Sequence, residues 1–543
     1  MNDYEIKKLY EEMEMYLIQS MKRNLGRHLT EENEVGFKFT QWQAEKLKEL
    51  KRYQRENKKI IGRYTLGLDE DVSEHLQNEL KQGSINAIKQ YNKALGKDLK
   101  PSKVMNKSFF KTNDRKVNAL IKVVNDDLKT ANTSALRMAN DQYRQIIHKS
   151  AFFVGNGVFT EKQAAAQAIE EISQKKLTTL AVDEASKNFL AGGLNSIEYS
   201  DGRRVNIASY AQMAVRTASL RTHLMGEGNF RASIGRTLVK VTTHGGACKL
   251  CTKWQGKVLV DDVYSGGKSD GKHTLLSDAM AQGFLHPSCR HGLTTYYPEL
   301  EEDYEEVKES KQPITDEQRQ HSNYINRNVK RFDRLSNGSL DKDNIKKYGL
   351  MKNAWQNRKP KEYIDINDEK VVKYKVNEYE QVIVNADVEH AYVINPLGEV
   401  FEFIGNAYKV DIPEWLNIKN AIITHNHPIN ETHYSLSADD INLFFNREIK
   451  ELRGLDVEYI YFMIRTKNTS KDIESINRDI LAYRYEALEL SKEGKLDIDK
   501  DEYDYINKKL SEKYHFVYKR RKRKWHLKKN LKSYWINWKK KII

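Results

Sequence analysis

The residues with most chemistry to offer fall in two short stretches. The first is His425-Asn-His427-Pro428, followed by Ser437-Ala-Asp-Asp440. Alternate residues at a strand end point to the same side, so His425 and His427 can share one cation. A carboxylate from Asp440, in the first turn of a following helix, completes three protein ligands. That leaves a fourth position for water, the open arrangement of a catalytic zinc. A hydrolase also needs a general base, and Glu389, just ahead of the strand-like Ala391-Tyr-Val-Ile, is the candidate. Asp439 competes with Asp440 and Ser435 with Ser437, while His433 reads as a loop histidine.

The second stretch is Cys248-x-x-Cys251, followed by His286-Pro-Ser-Cys289 and His291. A two-residue gap lets both side chains of a turn reach one ion, and two such pairs give the Cys3His set that suits structural zinc. His244 and His291 are alternative ligands. All three cysteines of the chain lie here, which argues against a secreted disulfide framework and for metal binding or free thiols in a reducing compartment.

Charge marks a third region. The formal net charge is +15, yet Lys513 to Ile543 holds thirteen Lys and Arg with no Asp or Glu, so nearly all the excess is local. Within it, Lys519, Arg520, Arg521, Lys522, Arg523, Lys524, Lys528 and Lys529 are candidate phosphate contacts. Three of the seven tryptophans lie nearby. Packaged double-stranded DNA is the anionic partner that such a tail suits; the plain alternative is a solvated helix end.

The elements that must position these residues are of several kinds. Of eight prolines only Pro101 precedes Pro287, and Leu9, Met13, Leu17 and Met21 recur at helical spacing, so residues 1–198 predict a helical body. Charged stretches at Gln41–Arg63, Val72–Leu95 and Lys162–Leu190 extend that expectation. From Gly245 to Gly292 eight glycines accompany the cysteines, and Thr237-Leu-Val-Lys-Val leads in as a strand. Residues 199–300 therefore predict a small α+β core. A charged helical linker is expected over 301–374. An α/β unit follows at 375–470, with strands at Ala391–Ile394, Val400–Ile404, Ala421–Thr424 and Val457–Ile464 and a helix from Ser437 to Arg447. A helical extension with the basic tail closes the chain at 471–543. The N-terminus lacks the apolar core of a signal peptide, and no apolar run is long enough to span a membrane.

Three segments resemble the phage minor capsid protein 2 family, related to the MuF-type head morphogenesis proteins. They are Tyr199-Ser-Asp-Gly-Arg-Arg-Val-Asn-Ile-Ala-Ser-Tyr, Val239-Lys-Val-Thr-Thr-His-Gly-Gly-Ala-Cys-Lys-Leu-Cys, and Gly283-Phe-Leu-His-Pro-Ser-Cys-Arg-His. The resemblance covers roughly residues 1–370. It implies a minor head component, associated with the portal or the inside of the capsid, found in the virion and in the host cytoplasm during assembly. Portal and capsid proteins would be its partners. Several relatives lack the Cys248 and Cys251 pair, so zinc there rests on spacing alone.

The ordered set Glu389, His425, His427, Ser437 and Asp440 resembles the JAMM/JAB metalloprotease motif over about residues 375–465. That resemblance implies zinc on His425, His427 and Asp440, Glu389 as the base that activates water, and Ser437 helping to stabilise the oxyanion. A peptide or isopeptide would be the substrate. Two other readings remain open: a phage-delivered effector whose activity is the C-terminal protease, and a DNA-binding head protein with an inactive JAB-like fold.

Overall fold

The computed structural model describes residues 1–27, 29, 39–106, 108–155, 174–243, 247–303, 316–407, 409–428, 435–470 and 472–523. They form two compact units, one of residues 1–312 with 323–358 and one of 313–322 with 359–543. Among the described residues no helix is long and apolar enough to cross a membrane.

The first unit is mainly helical. Its helices are α1 (Asp3–Gly26), α2 (Phe39–Lys48), α3 (Leu50–Tyr64), α4 (Leu68–Leu95), α5 (Asp114–Gly155), α6 (Gln174–Gly192) and α7 (Ile207–Ser233). α1 begins where the sequence permits: Asn2 accepts from the Tyr4 and Glu5 amides, and the Glu5 carboxylate accepts the Asn2 amide, which satisfies donors left open at a helix start. Its Ile6, Tyr10, Met13, Leu17 and Met21 form one buried stripe. α4 and α7 pack by glycine. A Cβ on Gly83 would lie 2.0 Å from the His223 carbonyl oxygen, and one on Gly226 would lie 2.1 Å from that of Leu80. The backbones meet where side chains are missing, and Ser84 donates across the gap to Gly226 O at 3.0 Å.

The glycine-rich core is a four-stranded sheet of order β5-β4-β3-β6, built from β3 (Leu238–Val241), β4 (Val258–Val260), β5 (Thr274–Leu275) and β6 (Leu293–Thr295). A two-stranded ribbon, β1 (Ile197–Glu198) with β2 (Arg204–Val205), precedes α7. Two short helices interrupt the sheet, α8 (Lys249–Thr252) and α9 (Leu276–Ala281). The stretch expected as a linker does not stay in solvent. From it come α10 (Asp316–Gly338) and α11 (Lys342–Gln356), and Leu335, Phe332 and Tyr348 join the core of the first unit.

The second unit is a seven-stranded sheet of order β13-β12-β11-β10-β8-β9-β7. Its strands are β7 (Glu362–Tyr363), β8 (His390–Ile394), β9 (Glu399–Ile404), β10 (Ile422–Asn426), β11 (Glu451–Leu455), β12 (Tyr459–Ile464) and β13 (Val517–Lys522). β10 and β11 run parallel, and the other neighbours are antiparallel. Strand alternation sorts the side chains. Tyr392, Ile394, Ile422 and Phe462 pack on α12 (Glu369–Ile383), whereas Val393, Ile423, Tyr461 and Met463 face α13 (Ala438–Asn446), α14 (Ile473–Lys492) and α15 (Ile498–Tyr514). The result is a sheet covered by helices on both faces.

The tail corrects an expectation. Residues beyond 471 give α14 and α15 as helices, but the start of the basic run is β13, the edge strand beside β12. Alternation explains it. Tyr518 donates to Asp504 at 2.7 Å and Arg520 donates to Asp501 at 2.8 Å, both on α15, while the intervening Lys519 and Arg521 stay exposed.

Candidate metal centre

β10 places His425 and His427 on the face that carries Ile423, toward α13. Both rings are buried, with 4% and 6% of their surface exposed. Their Nε2 atoms lie 3.2 Å apart. From the start of α13, Asp440 Oδ1 comes within 3.2 Å of His425 Nε2. One ligand atom from each of His425, His427 and Asp440 fits inside a cluster 4.8 Å across. Two imidazole nitrogens and a carboxylate oxygen so spaced match the donor set of one borderline cation.

The aim of Asp440 comes from helix capping. Ser437 is the N-cap, and its amide and hydroxyl both donate to Asp440 Oδ2 at 2.8 Å, while the Asp440 amide donates back to Ser437 Oγ at 3.2 Å. One carboxylate oxygen is thus fixed to the cap and the other is turned to the histidines. The hydroxyl proton of Ser437, expected to serve an oxyanion, goes to Asp440. Its rival Ser435 accepts from Asn507 at 3.1 Å and lies 2.7 Å from the Tyr518 hydroxyl. Asp439 is exposed, and His433 lies outside the described residues.

Charge around the cluster is balanced inside the fold. Burial would lower the His425 pKa, but Asp440 and then Glu389 outweigh it, so the shift is upward. Burial would raise Asp440; His425, His427 and the Ser437 amide hold it well below the usual carboxylate range. Glu389 enters from the residue before β8. Its amide donates to Asn406 O and its carbonyl accepts from Gly405, each at 2.8 Å.

Two contributors had no part in the sequence expectation. Asn426, between the histidines, faces the other way and brackets Glu389. Its Oδ1 accepts the His390 amide at 2.7 Å, and its Nδ2 donates to Val388 O at 3.2 Å. Gly454 on β11 stands opposite His425 in the parallel register. A Cβ there would lie 2.8 Å from Leu436 Cδ2 and 3.3 Å from the His427 ring, so the absent side chain leaves room for the imidazole. A glycine inside a strand is the signal that would have pointed to it.

The cysteine cluster belongs to the first unit. Cys248 caps α8 and is exposed, whereas Cys251 and Cys289 are buried free thiols. Cys248 Sγ lies 3.1 Å from His286 Nε2, Cys251 Sγ 3.7 Å from Cys289 Sγ, and Cys289 Sγ 3.4 Å from His291 Nδ1. Two compact threes share Cys251, one with Cys248 and His286 and one with Cys289 and His291. Burial, with Cys289 close by, pushes the Cys251 thiol up to about 12. Burial works the same way on Cys248, but hydrogen bonds, the largest from the Cys251 amide, outweigh it and lower its pKa. His244 lies outside the described residues.

A family model for phage minor capsid protein 2 matches residues 3–187 and 176–365. The chain belongs to the phage minor capsid protein 2 family. No curated protein and no solved structure matches it. Family membership gives the chain a role associated with the phage head. The matched span of this minor capsid protein contains the cysteine cluster and stops short of Glu389, so the His425 centre lies beyond it.

The basic run of the minor capsid protein divides. Arg520 sits 2.8 Å from Asp501, 3.6 Å from Asp504 and over the Tyr459 ring, and Arg523 donates to the Asp456 carbonyl at 3.3 Å. Lys519, Arg521 and Lys522 are exposed on the edge strand. Lys524, Lys528 and Lys529 lie outside the described residues.

Proposed function

We propose that this minor capsid protein works at the portal or the inner face of the capsid and carries a zinc-dependent peptidase or isopeptidase of the JAMM type in its second unit. One observation carries the enzymatic part. Two buried imidazoles and a cap-oriented carboxylate converge beside a glutamate held by the backbone of its neighbour strand. His425, His427 and Asp440 would hold the ion, and the donor set suits zinc. Bound zinc supplies a Lewis acid and lowers the pKa of a water at its open position.

The chain's own groups do the rest. Glu389 accepts a proton from the attacking water and returns it to the leaving amine. Ser437 keeps Asp440 aimed, and burial of both histidines keeps bulk water off the ligands. Exposed Lys519, Arg521 and Lys522 supply an anion-facing edge that suits packaged DNA, with Arg520 and Arg523 committed to the fold instead.

The test uses full-length protein. Glu389→Gln removes the base and no ligand. Hydrolysis of a peptide and isopeptide panel should fall by about two to four orders of magnitude with zinc content unchanged. Equal rates for the two proteins would defeat the peptidase reading. Mass spectrometry of purified particles tests the location: portal and major capsid protein recovered without this chain would rule it out.

A further inference from the structure

We propose that Cys248, Cys251, Cys289 and His286 hold a second zinc, purely structural, that staples the loop before β6 to α8. The site lies in the other unit and serves folding, so it goes beyond the peptidase reading.

Geometry carries it. Four ligands around zinc at about 2.3 Å for sulfur and 2.0 Å for nitrogen stand roughly 3.5–3.8 Å from one another at tetrahedral angles. Cys251 and Cys289 are 3.7 Å apart, far beyond a disulfide and at the length of a tetrahedral edge. Cys248 and His286 meet at 3.1 Å, slightly inside that edge. Three of the four, Cys248, Cys251 and His286, already lie within 4.8 Å of one another, and Cys289 reaches that set through Cys251.

His286 carries the tautomer that a ligand needs. Its Nδ1 lies 2.8 Å from Pro287 O, and a carbonyl only accepts. The ring proton therefore sits on Nδ1, and the Nε2 lone pair faces Cys248. A ligating histidine commonly donates its second nitrogen to a backbone carbonyl in this way. His291, the rival, offers Nδ1 to Cys289 from a buried ring stacked edge-on with Phe284.

The loop presenting His286 and Cys289 is also held in an unfavourable backbone shape. Leu285 and Ser288 both have positive φ, 52° and 62°. Non-glycine residues adopt that conformation at a cost, and persist in it where surrounding contacts fix them. Four coordinate bonds across this loop provide such a constraint. The strands nearest the cluster are short, four residues in β3 and three in β6. With every position taken by protein, no water can be activated, so the role is structural.

The experiment loads full-length protein with cobalt(II) as the probe. Thiolate coordination gives an intense near-ultraviolet charge-transfer band, which nitrogen and oxygen ligands alone do not produce. The His425 centre has no sulfur, so failure of either proposal is read separately. Wild type and His427→Ala should show the band; Cys289→Ser should weaken it, and His286→Ala should weaken cobalt binding. Because Cys289→Ser can misfold, a second measurement uses wild type. Zinc should slow alkylation of exposed Cys248 roughly tenfold or more, and a chelator should restore it. Absence of the band in wild type, or alkylation indifferent to zinc, overturns the site. Weaker cobalt binding in His291→Ala but not His286→Ala overturns the ligand set.

Discussion

The two ligand clusters of this chain are built from similar residues on opposite scaffolds. His425, His427 and Asp440 stand on a central strand and a capped helix, where register, parity and capping fix each candidate ligand atom. Cys248, Cys251, His286 and Cys289 stand on a one-turn helix and a loop with two strained residues. As proposed, the first would offer three protein ligands and an open place, the second a full complement. Rigid elements can hold an incomplete ligand set and so leave room for chemistry. Loops need the ion to hold them and have nothing left to offer it.

That contrast is easiest to break at His427. His427→Ala should abolish hydrolysis and remove one zinc per chain while leaving the cysteine cluster loaded, as read by metal analysis. If both metals leave together, the clusters are not independent and the contrast fails. A weak chelator should strip the open site first, and hydrolysis should disappear while most sulfur-bound metal remains.

A smaller effect is expected at Asn426, whose side chain bonds the backbone at His390 and Val388. Removing its two hydrogen bonds frees the backbone on either side of Glu389. Asn426→Ala should lower kcat about 10–100-fold at constant zinc content, the scale of a catalytic group displaced by an ångström. An unchanged kcat would mean that the β9 end alone positions Glu389.

Gly454→Ala probes the room left for the imidazole. The added methyl presses on Leu436 and the His427 ring. Zinc affinity should weaken by roughly tenfold, the low end of what disturbing a ligand's support costs. Competition with a fluorescent chelator measures it, and unaltered affinity would show that β11 yields freely.

The smallest change expected is at the cap. Ser437→Ala removes the N-cap hydroxyl and should cost about 1 kcal/mol in urea unfolding of the second unit. Substituting Thr should recover most of it. If Ala instead abolishes hydrolysis at unchanged stability and metal content, the hydroxyl acts in the reaction rather than through Asp440.

Much of the C-terminal centre was legible because it follows periodicity. A strand places alternate histidines on one side, and a serine three residues before an aspartate is a helix start wherever it falls. What stayed hidden is β11, the strand next to the histidines. Its Glu451 and Arg453 break up the apolar residues, yet Arg453 is buried and paired with Glu380 at 2.9 Å. β13 was hidden likewise, since a run of lysine and arginine looks like a solvated tail until α15 supplies Asp501 and Asp504.

The sequence by itself determined residue types, local spacing and segment character: the helical body, the glycine-rich cysteine module, the His-x-His pair and the capped helix. These depend on neighbours a few bonds apart, and backbone geometry repeats at that range. The tertiary structure alone decided which distant groups meet. It brought Glu389 beside His425 through the antiparallel pairing of Ala391 with His425, put Gly454 behind His427, and seated Gly83 and Gly226 where two helix backbones touch. Such contacts depend on sheet order and helix packing, which follow from burying apolar faces across the whole chain rather than from any short run of residues.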